Sequence, residues 1–370
     1  MLLEGLYRQA RAVGAWVRPR AVDVLGLWVS VAYALPSLWY PFGFDHPIHW
    51  YIGQRLLDGE LPYAEGGIST KPPGPFVVYA LTSLVLGDGQ WAIRVVDLGF
   101  ALATAVLVVT FRRRRTLPDG RVAYERPILP GELGAACVLA VGLYYTCFGS
   151  SDTAHPELWQ AFFMLASGWL IVRAPDWNVS ARRAFAAGVL ACVAVTFKHV
   201  AAVTGVLGGV AVLVLPLARR DLAGALRNGV FYTLGVALVL GLVMLPYALT
   251  GTFGAFWELM VEYMLDYAAQ GAPRRYGMPR WLTHKYSLYA VTACVSALLA
   301  GLGIAKAARD RRELRTGIWI AVLLAGAFGS VFVQRRVFAH WGFSYHFIVT
   351  VPFLALGAAW AFRRAMPRCG

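Results

Sequence analysis

The chain has 370 residues, of which 58% are hydrophobic and only 15% are charged, and its mean hydropathy is +0.57. These values exclude a disordered protein and argue against a soluble globular one. The formal net charge of +14 does not indicate a nucleic-acid partner, because the basic residues fall in short clusters between long apolar runs, as the cytoplasmic anchors of membrane helices do.

Long apolar runs recur along the chain and define its predicted architecture. Each is near the length that an α-helix needs to cross roughly 30 Å of hydrocarbon. The ten runs are 21–42, 91–111, 131–149, 157–173, 184–198, 200–218, 228–249, 284–305, 316–334 and 347–362. The sequence therefore predicts an all-α polytopic membrane protein with about ten transmembrane helices, in one domain over residues 1–370 and with no soluble domain.

The distribution of basic residues predicts how these helices are oriented. With the N-terminus inside, 24 of the 34 Lys and Arg residues fall in inner loops and termini, which is the bias that cytoplasmic segments show. Both termini are then cytoplasmic, and the outer face carries a first loop at 43–90 and a long loop at 250–283. The first 20 residues lack the pattern of a removable signal. The predicted location is the inner, or plasma, membrane.

The first outer loop opens with an acid beside an imidazole, Asp45-His46. Apolar residues then recur at every fourth position over 48–56, the spacing of a helix that lies in the membrane interface. Asp45 has two interpretations: an N-cap of this helix, or a carboxylate at headgroup level that accepts a proton from a sugar hydroxyl. His46 would orient Asp45 or share a metal with it. Arg55 would contact a substrate or only extend to the interface.

A single lysine, Lys71, lies later in the same loop. Three prolines within the next four residues stiffen the backbone around it. One interpretation is a solvated loop lysine, and the other is a fixed ammonium that binds a phosphate as a point charge. The apolar residues 74–88 are too few to span upright and predict a second interfacial helix.

A second polar group lies between the predicted third and fourth spans. Its members are Asp152, His155 and Glu157. Pro156 is typical of a helix first turn, so these side chains could merely cap that helix. Alternatively, Asp45, Asp152 and His155 would ligate a divalent cation such as Mg2+ or Mn2+ through oxygen and nitrogen atoms. The sequence leaves metal binding open.

Five further polar or aromatic groups fall inside or beside apolar runs. They are Arg94, Lys198, Arg335, Tyr345 and His346. We expect Arg94 to pair with Asp97, one turn away in the second span. Lys198 indicates either an ion pair in the core or a substrate contact. Arg335, Tyr345 and His346 lie in the last outer loop. They indicate either a second phosphate pocket or a basic surface that attracts anionic lipid headgroups.

Taken together, these residues resemble a known family. The stretches that carry the resemblance are Asp45, the run Gln54-Arg55-Leu56-Leu57-Asp58-Gly59-Glu60-Leu61-Pro62-Tyr63, Lys71-Pro72-Pro73-Gly74, Gly87-Asp88 and Arg94. This pattern is similar to that of the GT-C superfamily of membrane glycosyltransferases, in the family 39-type branch of protein O-mannosyltransferases and lipid A aminoarabinose transferases. The resemblance covers residues 20–115 best, and it is weaker at 150–200 and 340–360.

The resemblance implies a function and roles. Such enzymes move a sugar from a polyprenyl-phosphate carrier to an acceptor on the outer face, usually with inversion. The acceptor would be a glycolipid, a polysaccharide or a protein of the cell envelope, as in lipopolysaccharide synthesis or protein glycosylation. Asp45 would be the catalytic base or an acidic residue beside a metal ion. Asp152 or Glu157 would be the second acidic residue. Lys71 would bind the carrier phosphate.

Two features depart from the family pattern. Many relatives have two adjacent acids where this chain has Asp45-His46, which leaves the need for a metal open. The soluble outer domain of several relatives is not expected here, so acceptor recognition would come from loops such as 250–283.

Two other functions are alternatives to that of an enzyme. A transporter or flippase for a phosphorylated lipid should show broken helices and ionisable groups near mid-membrane in both halves, whereas here the ionisable groups gather on one face. A non-catalytic subunit of a membrane assembly need not keep Asp45 and Lys71 together. The sequence therefore favours a glycosyltransferase.

Overall fold

The structure, a computed structural model, describes residues 20–65, 67, 69–112, 114–124, 128, 130–149, 151–269, 287–307, 311–334 and 344–365. In these residues the chain is almost entirely helical, as the sequence predicts. The helices are α1 (Arg20–Trp39), α2 (His46–Leu57), α3 (Gly74–Leu86), α4 (Gln90–Thr110), α5 (Glu132–Cys147), α6 (Pro156–Val172), α7 (Ala181–Phe197), α8 (His199–Leu217), α9 (Leu222–Thr250), α10 (Phe253–Trp257, a π turn Glu258–Glu262 and Tyr263–Ala269), α11 (Ser287–Ala307), α12 (Arg311–Phe332) and α13 (Val351–Ala365).

One small element departs from the all-α pattern. Strands β1 (Arg114–Thr116) and β2 (Val122–Tyr124) form a two-stranded antiparallel ribbon in the basic loop after α4, with Arg115 opposite Ala123. The tip of the ribbon contains Gly120 in a left-handed conformation, φ 81°, which glycine adopts without a steric cost.

Among the described residues, six helices are long and apolar enough to cross a membrane. These spans are Arg20–Trp39, Gln90–Thr110, His199–Leu217, Leu222–Thr250, Leu288–Ala305 and Leu314–Phe332. The other four predicted spans coincide with α5, α6, α7 and α13, which are 17 residues long or shorter. A multi-pass helical membrane protein is therefore confirmed, and the count of ten stays a prediction.

The segment 43–90 folds as the two helices that its pattern predicts. Pro47 lies in the first turn of α2, where its missing N–H costs nothing, and Gly59, with φ 87°, follows the end of the helix. Helix α3 begins at Gly74 directly after Pro73 and ends before Gly87, φ 84°. The two helices pack against each other and leave Lys71 in the loop between them.

Helices α6 to α9 form the tightest part of the bundle, with α7 packed on both α6 and α9. Two glycines allow the close approach of α7 and α9. A Cβ at Gly188 would collide with the backbone oxygen of Tyr232, and one at Gly235 with that of Phe185. Small residues at such crossings are typical of helix packing in membranes.

A smaller apolar cluster attaches the segment that carries α2 and α3 to the bundle. Its buried members are Ile52, Tyr63, Phe76, Tyr247, Phe256 and Met260. They come from α2, the loop after it, α3, the end of α9 and α10, so the loop that carries Asp45 and Lys71 is held against the helical bundle.

Candidate functional site

Charged and aromatic side chains from five separate segments meet at one end of the bundle. We call them the polar cluster, and its members are Asp45, Lys71, His155, Glu157, Lys198, Tyr345 and His346. They come from the start of α2, the α2–α3 loop, the start of α6, the junction of α7 and α8, and the turn Ser344–Thr350. All seven were candidate residues in the sequence, which could not establish their distances.

Asp45 precedes α2, but its side chain does not cap that helix. Its carboxylate Oδ2 lies 3.7 Å from Nε2 of His155 and 3.9 Å from Nζ of Lys71. Both distances exceed those of a hydrogen bond. The side chain is 21% exposed. Of the two interpretations of Asp45, the geometry favours chemistry over capping.

Lys71 is held through its backbone. The hydroxyl of Tyr63 donates to the Lys71 carbonyl at 2.5 Å, and the Lys71 N–H donates to Oγ of Ser69 at 3.2 Å. Tyr63 itself has φ 70°, a left-handed conformation that is costly for a residue with a side chain. The Nζ atom lies 5.5 Å from the ring centre of Tyr345. The ammonium is thus presented from a fixed loop beside Asp45.

Glu157 lies beneath the exposed part of the cluster. Its side chain is 1% exposed, and its two oxygens are engaged by Nδ1 of His155 at 2.9 Å and Nζ of Lys198 at 2.7 Å. Nδ1 of His346 lies 3.4 Å away. The sequence suggested Glu157 as a second catalytic acid. Its burial and its partners favour a role in orienting His155 and neutralising Lys198.

The partner of His155 fixes the tautomer of its ring. A carboxylate accepts but does not donate, so Glu157 assigns the proton to Nδ1 of His155. Nε2 faces Asp45. The ring of Tyr345 packs on the imidazole at 4.4 Å between ring centres. His155 therefore presents its Nε2 atom to the cluster.

Lys198 lies at the break between α7 and α8, in an extended conformation. Its Nζ donates to Glu157 and to Nδ1 of His346, each at 2.7 Å. Burial lowers the pKa of Lys198 to about 8, and the neighbouring Glu157 opposes this shift. Of the two interpretations of Lys198, the structure forms the core ion pair.

Three other candidates lie in different surroundings. Arg94 is fully buried and donates to backbone and side-chain oxygens of Thr153 and to the carbonyl of Pro41, which favours a supporting role over substrate contact. Arg55 pairs with Glu60 at the end of α2. Asp152 is half-buried in the turn before α6. Arg335 lies outside the described residues.

His46 is fully buried beneath the cluster. Its Nδ1 accepts a hydrogen bond from the Gly43 N–H at 2.7 Å, and its ring centre lies 5.4 Å from that of His155. Burial lowers the pKa of His46 well below the usual imidazole value, and nearby His155 and Arg94 act in the same direction. His46 therefore has a structural role: it is the buried neutral ring that packs near His155.

The suggested metal ligands come together only in part. Asp45 and His155 approach each other, but the ammonium of Lys71 lies next to the same carboxylate oxygen, and a cation placed there would be repelled by it. Across the described ranges, no group of three His, Cys, Asp or Glu side chains is arranged to hold a metal ion. These residues do not form a complete Mg2+ or Mn2+ site, so metal dependence stays a prediction.

Two residues that support the site were missed in the sequence. His49 is buried on α2 between Phe76 and His155. Its spacing of three from His46, on one helix face, was a usable signal. Tyr63, which holds Lys71, belongs to the run that carries the family resemblance, but nothing in the sequence assigned it a role at the site.

An apolar cleft borders the polar cluster. It has a volume of about 400 Å3 between α2, α3, α6, α7 and α9. Its walls include Pro73, two residues after Lys71, and Phe197, directly before Lys198. Further along α9 the cleft is lined by Leu242 and Pro246. The cleft therefore lies next to both lysines in the sequence.

No protein-family model matches the chain, and no curated protein is similar to it in sequence.

Proposed function

We propose that this protein is a membrane glycosyltransferase of the GT-C type, which transfers a sugar from a polyprenyl-phosphate carrier to an acceptor on the outer face of the membrane. The observation that carries the proposal is the meeting of Asp45 and Lys71, both partly exposed, beside an apolar cleft. A carboxylate can accept the proton of an acceptor hydroxyl. An ammonium can bind the phosphate of the donor.

The proposed reaction is a direct displacement at the anomeric carbon. The acceptor oxygen forms the new bond while the bond from that carbon to the carrier phosphate oxygen breaks, which inverts the configuration. The acceptor proton passes to Asp45, and the polyprenyl phosphate leaves with the bond electrons. Lys71 stabilises the negative charge on the leaving phosphate. His155, with Nε2 facing Asp45, supports the protonation of that carboxyl group.

The apolar cleft gives the carrier chain a place to bind. Leu56, Val77, Phe163 and Leu242 come from four different helices and line one continuous apolar surface. A polyprenyl chain in this cleft would gain about 25 cal/mol for each Å2 of apolar surface it buries. The donor would then be drawn from the bilayer, without a soluble nucleotide sugar.

The finer architecture belongs to the same proposal. It has about ten transmembrane helices in the inner membrane, with both termini cytoplasmic and α2 and α3 at the outer interface. The segment 250–283, predicted as a loop but helical over α10 (253–269), would recognise the acceptor. The mechanism above includes no metal ion. If chelation abolished activity and Mg2+ or Mn2+ restored it, a metal-dependent step would have to be added to the mechanism.

A transporter or flippase for a phosphorylated lipid is the main alternative. The gathering of Asp45, Lys71 and His155 at one end of the bundle supports an enzyme, since alternating access needs a site that both faces reach. The identity of the lipid that copurifies with the protein is the first test. Mass spectrometry should find a polyprenyl phosphate bearing a sugar.

Reconstitution separates the two functions. In vesicles that contain this lipid and candidate acceptors, the enzyme should form a new glycosidic bond. A flippase would change only the leaflet in which the lipid lies. Redistribution without any glycosylated product would reject the proposal.

The orientation can be tested directly. In a version without native cysteines, single cysteines at Glu65 and Asp119, both exposed, should react with a membrane-impermeant maleimide from opposite sides. Labelling of both from the cytoplasmic side would place the site on the wrong face.

A further inference from the structure

A set of buried polar side chains lies under the turn that carries His155. Arg94 and Asp97, one turn apart on α4, are both fully buried. Asp97 accepts hydrogen bonds from Tyr144 and Tyr145 of α5 and from Trp159 of α6. We call these five residues the buried clamp. None of them takes part in the proposed reaction, so their cost in a membrane core needs another explanation.

Asp97 is the centre of the clamp. Its side-chain oxygens accept hydrogen bonds from the hydroxyls of Tyr144 and Tyr145 at 3.1 and 3.0 Å, and from the indole N–H of Trp159 at 3.1 Å. They also accept the backbone N–H of Ala154 at 3.1 Å. The clamp is therefore bonded to the backbone directly next to His155.

Arg94 extends the clamp to two loops. One of its terminal nitrogens donates to the carbonyl and the hydroxyl of Thr153, each at 2.7 Å. The other donates to the carbonyl of Pro41 at 2.9 Å. Pro41 lies four residues before Asp45, and Thr153 two before His155. A single side chain thus joins the loops that carry both groups.

The turn held by the clamp has a costly conformation. Ala154 has φ 58°, in the left-handed region that a residue with a Cβ atom rarely adopts. Its side chain is fully buried and cannot relax toward solvent. Residues in this state persist when their surroundings over-determine them, and they concentrate at functional sites. The hydrogen bonds to Thr153 and Ala154 provide that restraint.

We propose that Asp97 and Arg94 are positioning residues: they hold the strained turn at Thr153 and Ala154, together with the Pro41 loop, and so fix His155 against Asp45 and Glu157. The effect on catalysis rests on the proposed function. The effect on the placement of His155 does not, and it can be measured on its own. A clamp that served only the stability of the bundle would lower the melting temperature without moving His155.

Two variants remove the clamp to different degrees. Asp97→Leu removes every acceptor at a similar volume. Thr153→Val is isosteric and removes only the hydroxyl contact with Arg94, so it retains the fold if the larger change does not. Asn228→Leu is the matched control, because Asn228 is also fully buried and bonded to a backbone carbonyl, that of Val179, far from the cluster in sequence.

The accessibility of His155 is the first measurement. The side chain is only 2% exposed, so diethyl pyrocarbonate should modify it slowly in the wild-type protein, as read by mass spectrometry of the His155 peptide. Modification should rise several-fold in Thr153→Val and further in Asp97→Leu. It should stay at the wild-type rate in Asn228→Leu, even where that variant melts earlier.

A rescue identifies the strained turn as the element held. Glycine adopts positive φ without a Cβ penalty, so Asp97→Leu combined with Ala154→Gly should regain part of the protection of His155. Modification that is unchanged in both clamp variants, or that rises equally in Asn228→Leu, would overturn the proposal. A double variant no better protected than Asp97→Leu would do the same.

Transfer kinetics form the second measurement. Misplacement of a catalytic group by about 1 Å can cost on the order of a hundredfold, so Thr153→Val should lower kcat at least roughly tenfold on that basis, with KM for the donor unchanged. A rise in KM alone would contradict a positioning role. If the wild-type protein transfers no sugar, the proposed function fails, and the modification experiment still decides the clamp.

Discussion

The ion pairs at the two ends of helix α4 differ in how closely their charges approach and in how exposed they are. At one end, Arg112 forms an ion pair with Glu132, and both side chains are less than a tenth exposed. At the other end, Asp45 and Lys71 lie 3.9 Å apart and remain partly exposed. The first pair is closed on itself. The second is too far apart for a hydrogen bond, and both of its groups remain partly exposed to a ligand.

This difference separates structural charge from charge held ready for a ligand. A closed pair in a low-dielectric region satisfies its own groups, and its loss should appear as instability. An open pair gains little stability from itself, so its loss should appear as lost binding or turnover. Each of the following experiments tests one side of this comparison.

The largest effect is expected from the closed pair. Glu132→Gln leaves Arg112 without its counter-charge, so the free energy of unfolding should fall by about 3 kcal/mol or more. Transfer per folded molecule should stay at the wild-type rate. Thermal unfolding in detergent beside a transfer assay measures both. Asp119→Asn, which removes an exposed partner of Arg121, is the control and should melt like the wild type.

The open pair should respond in the reverse way. Asp45→Asn keeps the size of the side chain and removes its ability to accept a proton, so turnover should fall on the order of a hundredfold or more. Stability should barely change, because the side chain makes no cap hydrogen bond with α2. Asp58→Asn, at the exposed other end of α2, should retain full turnover. Near-normal turnover in Asp45→Asn would reject the catalytic role.

Lys71 should show a smaller effect, on donor affinity. A bond to a charged group is typically worth about 1.5 kcal/mol or more, so Lys71→Ala should raise KM for the polyprenyl-phosphate sugar by roughly tenfold or more. Lys71→Arg should recover part of this affinity, because the charge survives although its geometry changes. An unchanged KM in Lys71→Ala would remove the lysine from the donor site.

The effect that is smallest at neutral pH is a dependence of stability on pH, from the histidines under the cluster. Burial lowers the pKa of His46 and His49 well below the usual value, so the folded protein keeps them neutral. The unfolded chain takes up protons below about pH 6.5. Stability should therefore fall as the pH drops below that value, by about 1.4 kcal/mol per pH unit for each histidine.

Melting temperatures measured above and below about pH 6.5 test this dependence. His49→Phe removes one titrating ring at similar size, so its melting temperature should fall less steeply toward acid pH. A slope equal to that of the wild type would show that His49 does not set the dependence.

The sequence predicted the parts of the fold that local patterns determine. Apolar length gave the spans, and the four-residue spacing over 48–56 gave α2. From the basic residues between spans it also predicted that the members of the polar cluster share one face. The structure brings these residues together, and their orientation in the membrane stays a prediction. The ribbon after α4 carries no such pattern and was not foreseen.

Contacts between distant segments could not be predicted. Glu157 joins Lys198 and His346, which lie 41 and 189 residues further along the chain. The expected partner of Asp97 was Arg94, whereas the hydrogen bonds that Asp97 accepts come from two tyrosines, a tryptophan and the backbone of Ala154. A charged residue in a span indicates that a partner exists, but only the packing of three helices decides which partner it is.

The close crossing of α7 and α9 at Gly188 and Gly235 has a mechanical consequence. No side chain separates the two backbones, so neither helix can rotate or slide without a collision. Helix α7 ends at Lys198, and α9 lines the cleft, so one wall of the cleft and one ammonium move as a single rigid piece. Any widening that admits a ligand must then come from the opposite wall, which α2 and α3 form.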